Sequence, residues 1–356
     1  MSDQTAYELP EKLKNLTPYA PLEGLFNIRL DANESFLSPP PELLSEFAKA
    51  ICSIDFNRYP DPYCTELCEA FAGFFSVAPS HVVAGNGSDE LIGLIVNWFT
   101  NPGDVMVTVS PDFSMYAFYA QPCGVRHIAL DKDAFSLELD ADRLIQTARE
   151  NNARLVMFSN PCNPTSLCAS QDAVRRVVEA LPGCLVVVDE AYMDFAEGSL
   201  LSKTGTYRNM IVLKTFSKAF GMAAIRLGFA VAHPTLAIAL KAAKSPYNVN
   251  TMTQAVGCAL LSHPDYIKSC IEDIKRSRDD LHSRLCTLAA AKDDILGVWN
   301  TQANFVLLRL SDARETAGRM AARGVAVRNL GDYLRVSAGG PPENRAVIRL
   351  LDEILH

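Results

Sequence analysis

The stretch Leu185-Val186-Val187-Val188-Asp189-Glu190-Ala191-Tyr192 reads as a buried strand that stops on a carboxylate. Its apolar run is too short for a stable helix, and too uniformly apolar for a strand with one wet face, so both faces are expected to be covered. An acid at the carboxyl end of such a strand lies where open α/β sheets build their sites. Taken alone, Asp189 could equally cap a following helix.

Outward from this stretch, Val105 to Val109, Arg154 to Phe158 and Met210 to Leu213 have the same character. Amphipathic segments lie between them, and helices are predicted over Pro41 to Ile51, Thr65 to Phe75, Ser88 to Phe99, Ala141 to Glu150 and Gln171 to Ala180. Ser88 reads as an N-cap, with Asp89 and Glu90 favouring the first turn electrostatically. The alternation predicts an α/β fold with a mostly parallel sheet.

The pattern breaks at Ser245-Pro246-Tyr247-Asn248, and a long helical segment from about Thr251 to Ala290 follows. Strand, helix and strand patterns at Asn304 to Leu310, Ala313 to Arg323 and Tyr333 to Val336 then predict a small α/β domain. The expected division is an N-terminal arm over 1–35, a large domain over 36–246 and a small domain over 247–356. No repeat or low-complexity segment interrupts it.

A chain of 356 residues with 49% hydrophobic content can bury a sizeable core. The net charge of -8 is scattered, with no basic run, which argues against nucleic acid or an anionic membrane as partner and for a small molecule. Met1 to Pro10 lack the basic start and apolar core of a secretory signal, so the cytoplasm is expected. The longest apolar stretches, such as Leu91 to Phe99, fall well short of the roughly 20 residues that cross a bilayer. The ten cysteines form no CxxC pair and read as reduced thiols, with no metal expected.

Four segments carry chemistry. Lys214-Thr215-Phe216-Ser217-Lys218-Ala219-Phe220-Gly221-Met222 follows a strand and sets Lys218 among apolar and small residues, where desolvation favours the neutral amine that attacks an aldehyde. Ser217 and Arg226 beside it suit a phosphate. On its own, the segment is also compatible with a surface loop. Asp189 can hold a pyridine nitrogen protonated, and Tyr192, three residues on, can donate to a ring oxygen.

The third segment, Ser159-Asn160-Pro161-Cys162-Asn163-Pro164-Thr165, follows a strand and is forced into a non-helical loop by its two Asn-Pro steps, so Asn163 can present its amide. The fourth, Gly85-Asn86-Gly87-Ser88-Asp89-Glu90, feeds a helix whose free N–H groups make a phosphate cradle. It matches neither GxGxxG nor GxxxxGK[ST], which disfavours a nucleotide.

Together the four segments resemble the fold type I pyridoxal-phosphate aminotransferases, and the histidinol-phosphate aminotransferase family most of all. The resemblance runs from Leu16-Thr17-Pro18-Tyr19 and Leu30-Asp31-Ala32-Asn33-Glu34, through Asn57-Arg58-Tyr59-Pro60, to Tyr333-Leu334-Arg335-Val336. It implies an aspartate aminotransferase-like fold: a large domain with a mostly parallel seven-stranded sheet, a small C-terminal domain, an arm packing on the small domain and on a partner, and a homodimer. It implies Lys218 as the residue joined to pyridoxal phosphate, Asp189 on the pyridinium, Asn163 and Tyr192 on the ring oxygen and Phe113 stacked on the ring. Gly87, Ser88, Asp89, Ser217 and Arg226 would surround the phosphate, with Tyr59 lent by the neighbouring subunit. Arg335 would clamp a carboxylate, and Tyr19, Asn33 and Arg328 would complete the substrate pocket.

Two positions depart from the family pattern. Ser166 stands where the Asn-Pro-Thr motif usually continues with Gly, and Ala224 replaces the Gly that usually precedes the apolar residue and Arg226. Both could reshape the pocket wall. The expected reaction is transamination of histidinol phosphate with 2-oxoglutarate in histidine biosynthesis; the alternatives are an aromatic amino acid aminotransferase and a decarboxylase of a phosphorylated amino acid.

Overall fold

The computed structural model describes residues 7–14, 18 and 22–356. A short α1 (Glu11–Lys14) precedes β1 (Ile28–Leu30), α2 (Pro41–Cys52) and α3 (Thr65–Phe75). The α/β region then runs β2 (Val82–Gly85), α4 (Gly87–Phe99), β3 (Val105–Ser110), α5 (Met115–Ala120), β4 (Arg126–Asp131), α6 (Ala141–Glu150) and β5 (Leu155–Ser159). It continues through α7 (Gln171–Ala180), β6 (Leu185–Asp189), β7 (Met210–Thr215), β8 (Gly228–Ala232) and α8 (Pro234–Ala243). Two helices, α9 (Thr251–Leu261) and α10 (Pro264–Ala289), lead to β9 (Ile295–Val298), β10 (Phe305–Leu310), α11 (Ala313–Ala322), β11 (Val325–Leu330), β12 (Tyr333–Ser337) and α12 (Pro341–Ile354).

Seven strands form one sheet in the order β2-β8-β7-β6-β5-β3-β4. Only β8 runs antiparallel to its neighbours, so the expectation of a mostly parallel seven-stranded sheet holds. The valine run of β6 shows why it is a strand: Val186 and Val188 enter one core cluster and Val187 the other, as period-two side chains of a doubly covered sheet must. Helices α6 and α7 start at Asp140 and Ser170, whose side chains accept the N–H of Arg143 and Ala173. Such caps contribute about 1 kcal/mol each.

Five strands form the second sheet, β1-β11-β12-β10-β9, with α10, α11 and α12 packed around it. The N-terminal segment enters this sheet directly, because β1 pairs in parallel with β11. Helix α9 packs against α2 and α3, and the core that contains the larger sheet's Val186 and Phe229 continues through Leu260 to Ile274 in α10.

Two local expectations need correction. The helix expected from Thr251 to Ala290 is broken at Ser262-His263, where Pro264 opens a new helix because it has no N–H to continue the old one. Ser88 is not an N-cap: α4 begins at Gly87, Asn86 is the cap residue without a side-chain cap bond, and Ser88 lies in the first turn. Its backbone N–H is thereby left available at the helix end.

Candidate active site

The carboxyl ends of β5, β6 and β7 meet at one edge, with Ser159 in register with Asp189, and Asp189 with Leu213. Asp189 is buried, its Oδ2 accepting from the Tyr116 hydroxyl (2.9 Å) and its Oδ1 from the Ala191 N–H (3.1 Å). Burial pushes its carboxyl up to about 6, against the pull of those two donors. A cationic ring N–H placed beside it would relieve this cost.

Lys218 follows β7 in a loop stiffened by Phe216 stacked on Phe220 (4.1 Å) and by the Met222 N–H donating to Phe216 O (2.9 Å). The half-buried lysine donates from Nζ to the Ala32 carbonyl (2.8 Å) and lies 5.9 Å from the centre of the Tyr192 ring. Burial, helped by the Arg335 and Arg226 cations and opposed by Glu34, lowers its amine to about 7. A large fraction is therefore a neutral nucleophile at physiological pH.

Beside it, the start of α4 forms an anion cradle. Gly87 has φ +82°, and a Cβ there would lie 2.8 Å from the Arg226 guanidinium. A Cβ on Gly228 would lie 2.2 Å from the Ser88 nitrogen, so glycine is what lets β8 touch the end of α4. Arg226 donates to Ser217 Oγ (3.3 Å), joining the cradle to the lysine loop. Asp89, in the first turn of α4, accepts at its Oδ2 from the Tyr119 hydroxyl (2.9 Å).

A three-residue segment after β1 threads between these groups. Asp31 O accepts from Arg335 (2.7 Å), Ala32 O from Lys218, and the Asn33 amide donates to the Tyr192 hydroxyl (2.9 Å). Arg335 also donates to Asn163 Oδ1 and lies over the Phe305 ring. The Asn163 loop is held to the Phe113 loop by half-buried Asp112, which accepts from the N–H groups of Phe113 (2.7 Å) and Ser159 (3.1 Å) and from the Ser159 hydroxyl. The Ser159 oxygen in turn accepts the Asn163 N–H (3.0 Å).

The structure therefore brings Lys218, Asp189, Tyr192, Asn33, Arg335 and Asn163 into one connected site, with Gly87, Ser88, Ser217 and Arg226 at its phosphate end. Phe113 meets Tyr116 edge-on at 5.6 Å. Arg328 lies directly opposite Arg335 across β11 and β12. Tyr59 is 80% exposed and stacks on Tyr247 (4.5 Å), outside this chain's connected site. Tyr19 lies outside the described residues.

Of the two departures, Ser166 adopts φ +64° and its hydroxyl contacts Thr301 (2.7 Å) and accepts the N–H groups of Gln302 and Ala303. Its hydroxyl adds to the backbone bond from the Gln302 N–H to the Ser166 carbonyl (2.9 Å) in tying the Asn163 loop to the residues before β10; a glycine would keep only the backbone bond. Ala224 is exposed in the turn before Arg226. Tyr116, Asp112, Ser337 and the Ala32 carbonyl are functional neighbours that sequence reasoning missed, because each reaches the site through a partner distant in sequence.

The sequence pattern of the family "Aminotransferase class I and II" matches residues 27–350. A histidinol-phosphate aminotransferase of Clostridium kluyveri is 36% identical over 350 residues, 97% of this chain and 98% of that protein. One from Pyrococcus furiosus is 34% identical over 351 residues, covering 97% of each. Among solved structures, the histidinol-phosphate aminotransferase of Sinorhizobium meliloti in complex with pyridoxal-5'-phosphate superposes with a TM-score of 0.88 at 24% identity over 99% of both chains. An aspartate aminotransferase of Thermus thermophilus with maleate reaches 0.84 at 20% identity, over 98% of this chain and all of that one. At these identities the two structures establish the shared fold.

Proposed function

The chain belongs to the class I and II aminotransferases, and from that premise we propose that it is a pyridoxal-phosphate enzyme that exchanges the amine of histidinol phosphate with the oxo group of 2-oxoglutarate, a step of histidine biosynthesis. The observation that carries the substrate choice is the pairing of Arg328 with Arg335 on adjacent strands. Two guanidiniums on one face suit a phosphate ester, and they also suit the carboxylates of glutamate. An aromatic side chain would call for apolar walls there.

The residues present fit the cofactor. The cradle at Gly87 and Ser88, with Ser217 and Arg226, would take its phosphate, and Asp189 would hold the ring N–H. When bound, pyridoxal phosphate supplies an aldehyde that carries the amine and a pyridinium ring that accepts the electrons of the broken C–H bond. With its Oδ1 taken by Arg335, Asn163 keeps its Nδ2 donor free of that contact, and this amide and the Tyr192 hydroxyl would hold the ring oxygen of the cofactor. Lys218 Nζ, neutral in large part near pH 7, would take the proton from the substrate α-carbon and deliver it to the carbon that carried the aldehyde, so that the amine stays behind when the oxo product leaves. Arg335 orients the substrate anion while this happens.

The same reading makes the protein a cytoplasmic homodimer. Tyr59 is exposed together with Phe56, Tyr63 and Tyr247, as suits a residue lent to a neighbour's site. Light scattering tests this, a strictly monomeric active enzyme being the contrary result.

The substrate test is a half-reaction screen on the cofactor-loaded protein. Histidinol phosphate and glutamate should each convert the visible absorbance rapidly, and phenylalanine and tyrosine should not. A preference for the aromatic amino acids would keep the mechanism and overturn the substrate.

A further inference from the structure

Asn33 sits just after β1 with φ +55°, a left-handed conformation that asparagine and aspartate tolerate better than other side chains. It is 1% exposed, and its polar atoms are engaged by protein groups. Its N–H donates to Ser337 Oγ (2.9 Å), its carbonyl accepts from Asn304 Nδ2 (3.0 Å), its Oδ1 accepts from Ser337 Oγ (3.1 Å) and its Nδ2 donates to Tyr192. Ser337 ends β12 and Asn304 precedes β10, whereas Tyr192 belongs to the loop after β6, so one residue bridges the two sheets.

Ser337 decides which way the amide points. Its buried hydroxyl accepts the Asn33 N–H and has no acceptor for its single proton among the described residues other than Oδ1, so the proton goes there and the Nδ2 end is turned to Tyr192. Tyr192 thus receives a hydrogen bond on its oxygen and keeps its own proton, for which no acceptor is found among the described residues. Its ring is buried and fixed edge-on against Phe305 at 5.2 Å. Burial also raises the phenol above its ordinary range, so the proton stays on.

We propose that Asn33 is a positioning residue: by occupying the Tyr192 oxygen as a donor, it commits the Tyr192 hydroxyl to donate into the cleft, to an anionic oxygen on the bound ring. This rests on the cofactor assignment above, and it gives Asn33 a role through Tyr192, since the amide nitrogen and oxygen each bond within the protein.

The informative variant is Asn33→Asp, which has the same shape, tolerates the backbone and keeps the Ser337 contact. It offers Tyr192 an acceptor in place of a donor, so the hydroxyl turns away from the ring. Donation to the ring oxygen favours its ionised form, so losing it should raise the pH midpoint of the visible absorbance of the loaded protein by about one unit. Tyr192→Phe should do the same, and Asn33→Asp should add nothing in the Tyr192→Phe background. Should Asn33→Asp fail to fold, Ser337→Ala frees the amide to turn over and should raise the midpoint in the same Tyr192-dependent way.

An unmoved midpoint overturns the proposal. So does a shift that persists undiminished in Tyr192→Phe, which would report only the added charge beside Asp189, Arg335 and Lys218. If the native protein takes up no pyridoxal phosphate, the cofactor reading and this inference fall together; if the absorbance is present and depends on Lys218 while the midpoint stays put, the inference alone falls.

Discussion

Arg328 and Arg335 stand directly opposite each other across the antiparallel pair β11–β12, so their side chains leave the sheet on the same face. Like charges so placed repel across the sheet, which suits this face to an anion. Arg335 is also tethered to Asn163 and to the Asp31 carbonyl, whereas Arg328 is half-buried and is the better candidate for the distal anion.

Arg328→Gln should therefore raise KM for histidinol phosphate by about 10- to 100-fold, the scale of hydrogen bonds to a charged group. The melting temperature of the cofactor-free protein should stay level or rise, because a repulsive neighbour is gone. Steady-state kinetics and a thermal scan check both. An unchanged KM would remove Arg328 from the substrate pocket.

Lys218 has its amine lowered to about 7, and only the neutral form attacks an aldehyde. Uptake of pyridoxal phosphate by the cofactor-free protein should accelerate as pH rises from 6 through about 7 and level off above it. Stopped-flow absorbance measures this. A rate that keeps climbing towards pH 10 would mean an ordinary, solvated lysine, and Lys218→Ala should abolish the absorbance altogether.

Asp189 has a folded carboxyl raised to about 6 from an ordinary 3.8, burial being the main cause. A raised folded value means the stability present below pH 3.8 is lost as pH rises through about 6. Cofactor-free Asp189→Asn should therefore melt higher than the native protein at pH 7.5, and the advantage should vanish towards pH 4. The same substitution should lower turnover by at least about 100-fold, since it no longer stabilises a charged ring N–H. Equal melting at both pH values would show that the carboxylate is not strained in the empty site.

Gly228→Ala drives a Cβ to within 2.2 Å of the Ser88 nitrogen and Gly73→Ala meets nothing within 4 Å on the exposed side of α3. The first should cost about 1–3 kcal/mol or more and weaken phosphate binding, because β8 must back away from the end of α4. The second should stabilise by about 0.5–1 kcal/mol. Denaturant titrations and cofactor titrations separate the two.

Much of this site was visible along the chain. Lys218, Asp189, Asn163 and the Gly87 turn each follow a short apolar run, and side chains just past the ends of parallel strands converge on one edge whatever the loops between them do. Tyr116 and Asp112 were not visible in this way. Their partners, Asp189 and Ser159, are distant in sequence, and the contacts exist only because β5 lies between β6 and β3. Tyr192 was legible as a ring donor, but the residue that orients it was not.

Sequence periodicity alone determined β3, β5, β6 and β7, the helices α2, α3, α4, α6 and α7 and the four loops that carry chemistry, because these depend on burial and turn propensities that act over a few residues; it left β2, β4, β8 and α5 unassigned. The pairing of Arg328 with Arg335, the placement of Asp31, Ala32 and Asn33 against Arg335, Lys218 and Tyr192, and the closing of Gly228 on Ser88 were decided only by the tertiary structure. The reason is physical: each is a register or a contact between segments far apart in the chain, set by which strands neighbour one another and how two cores pack, and no local pattern of residues encodes a distance of that kind.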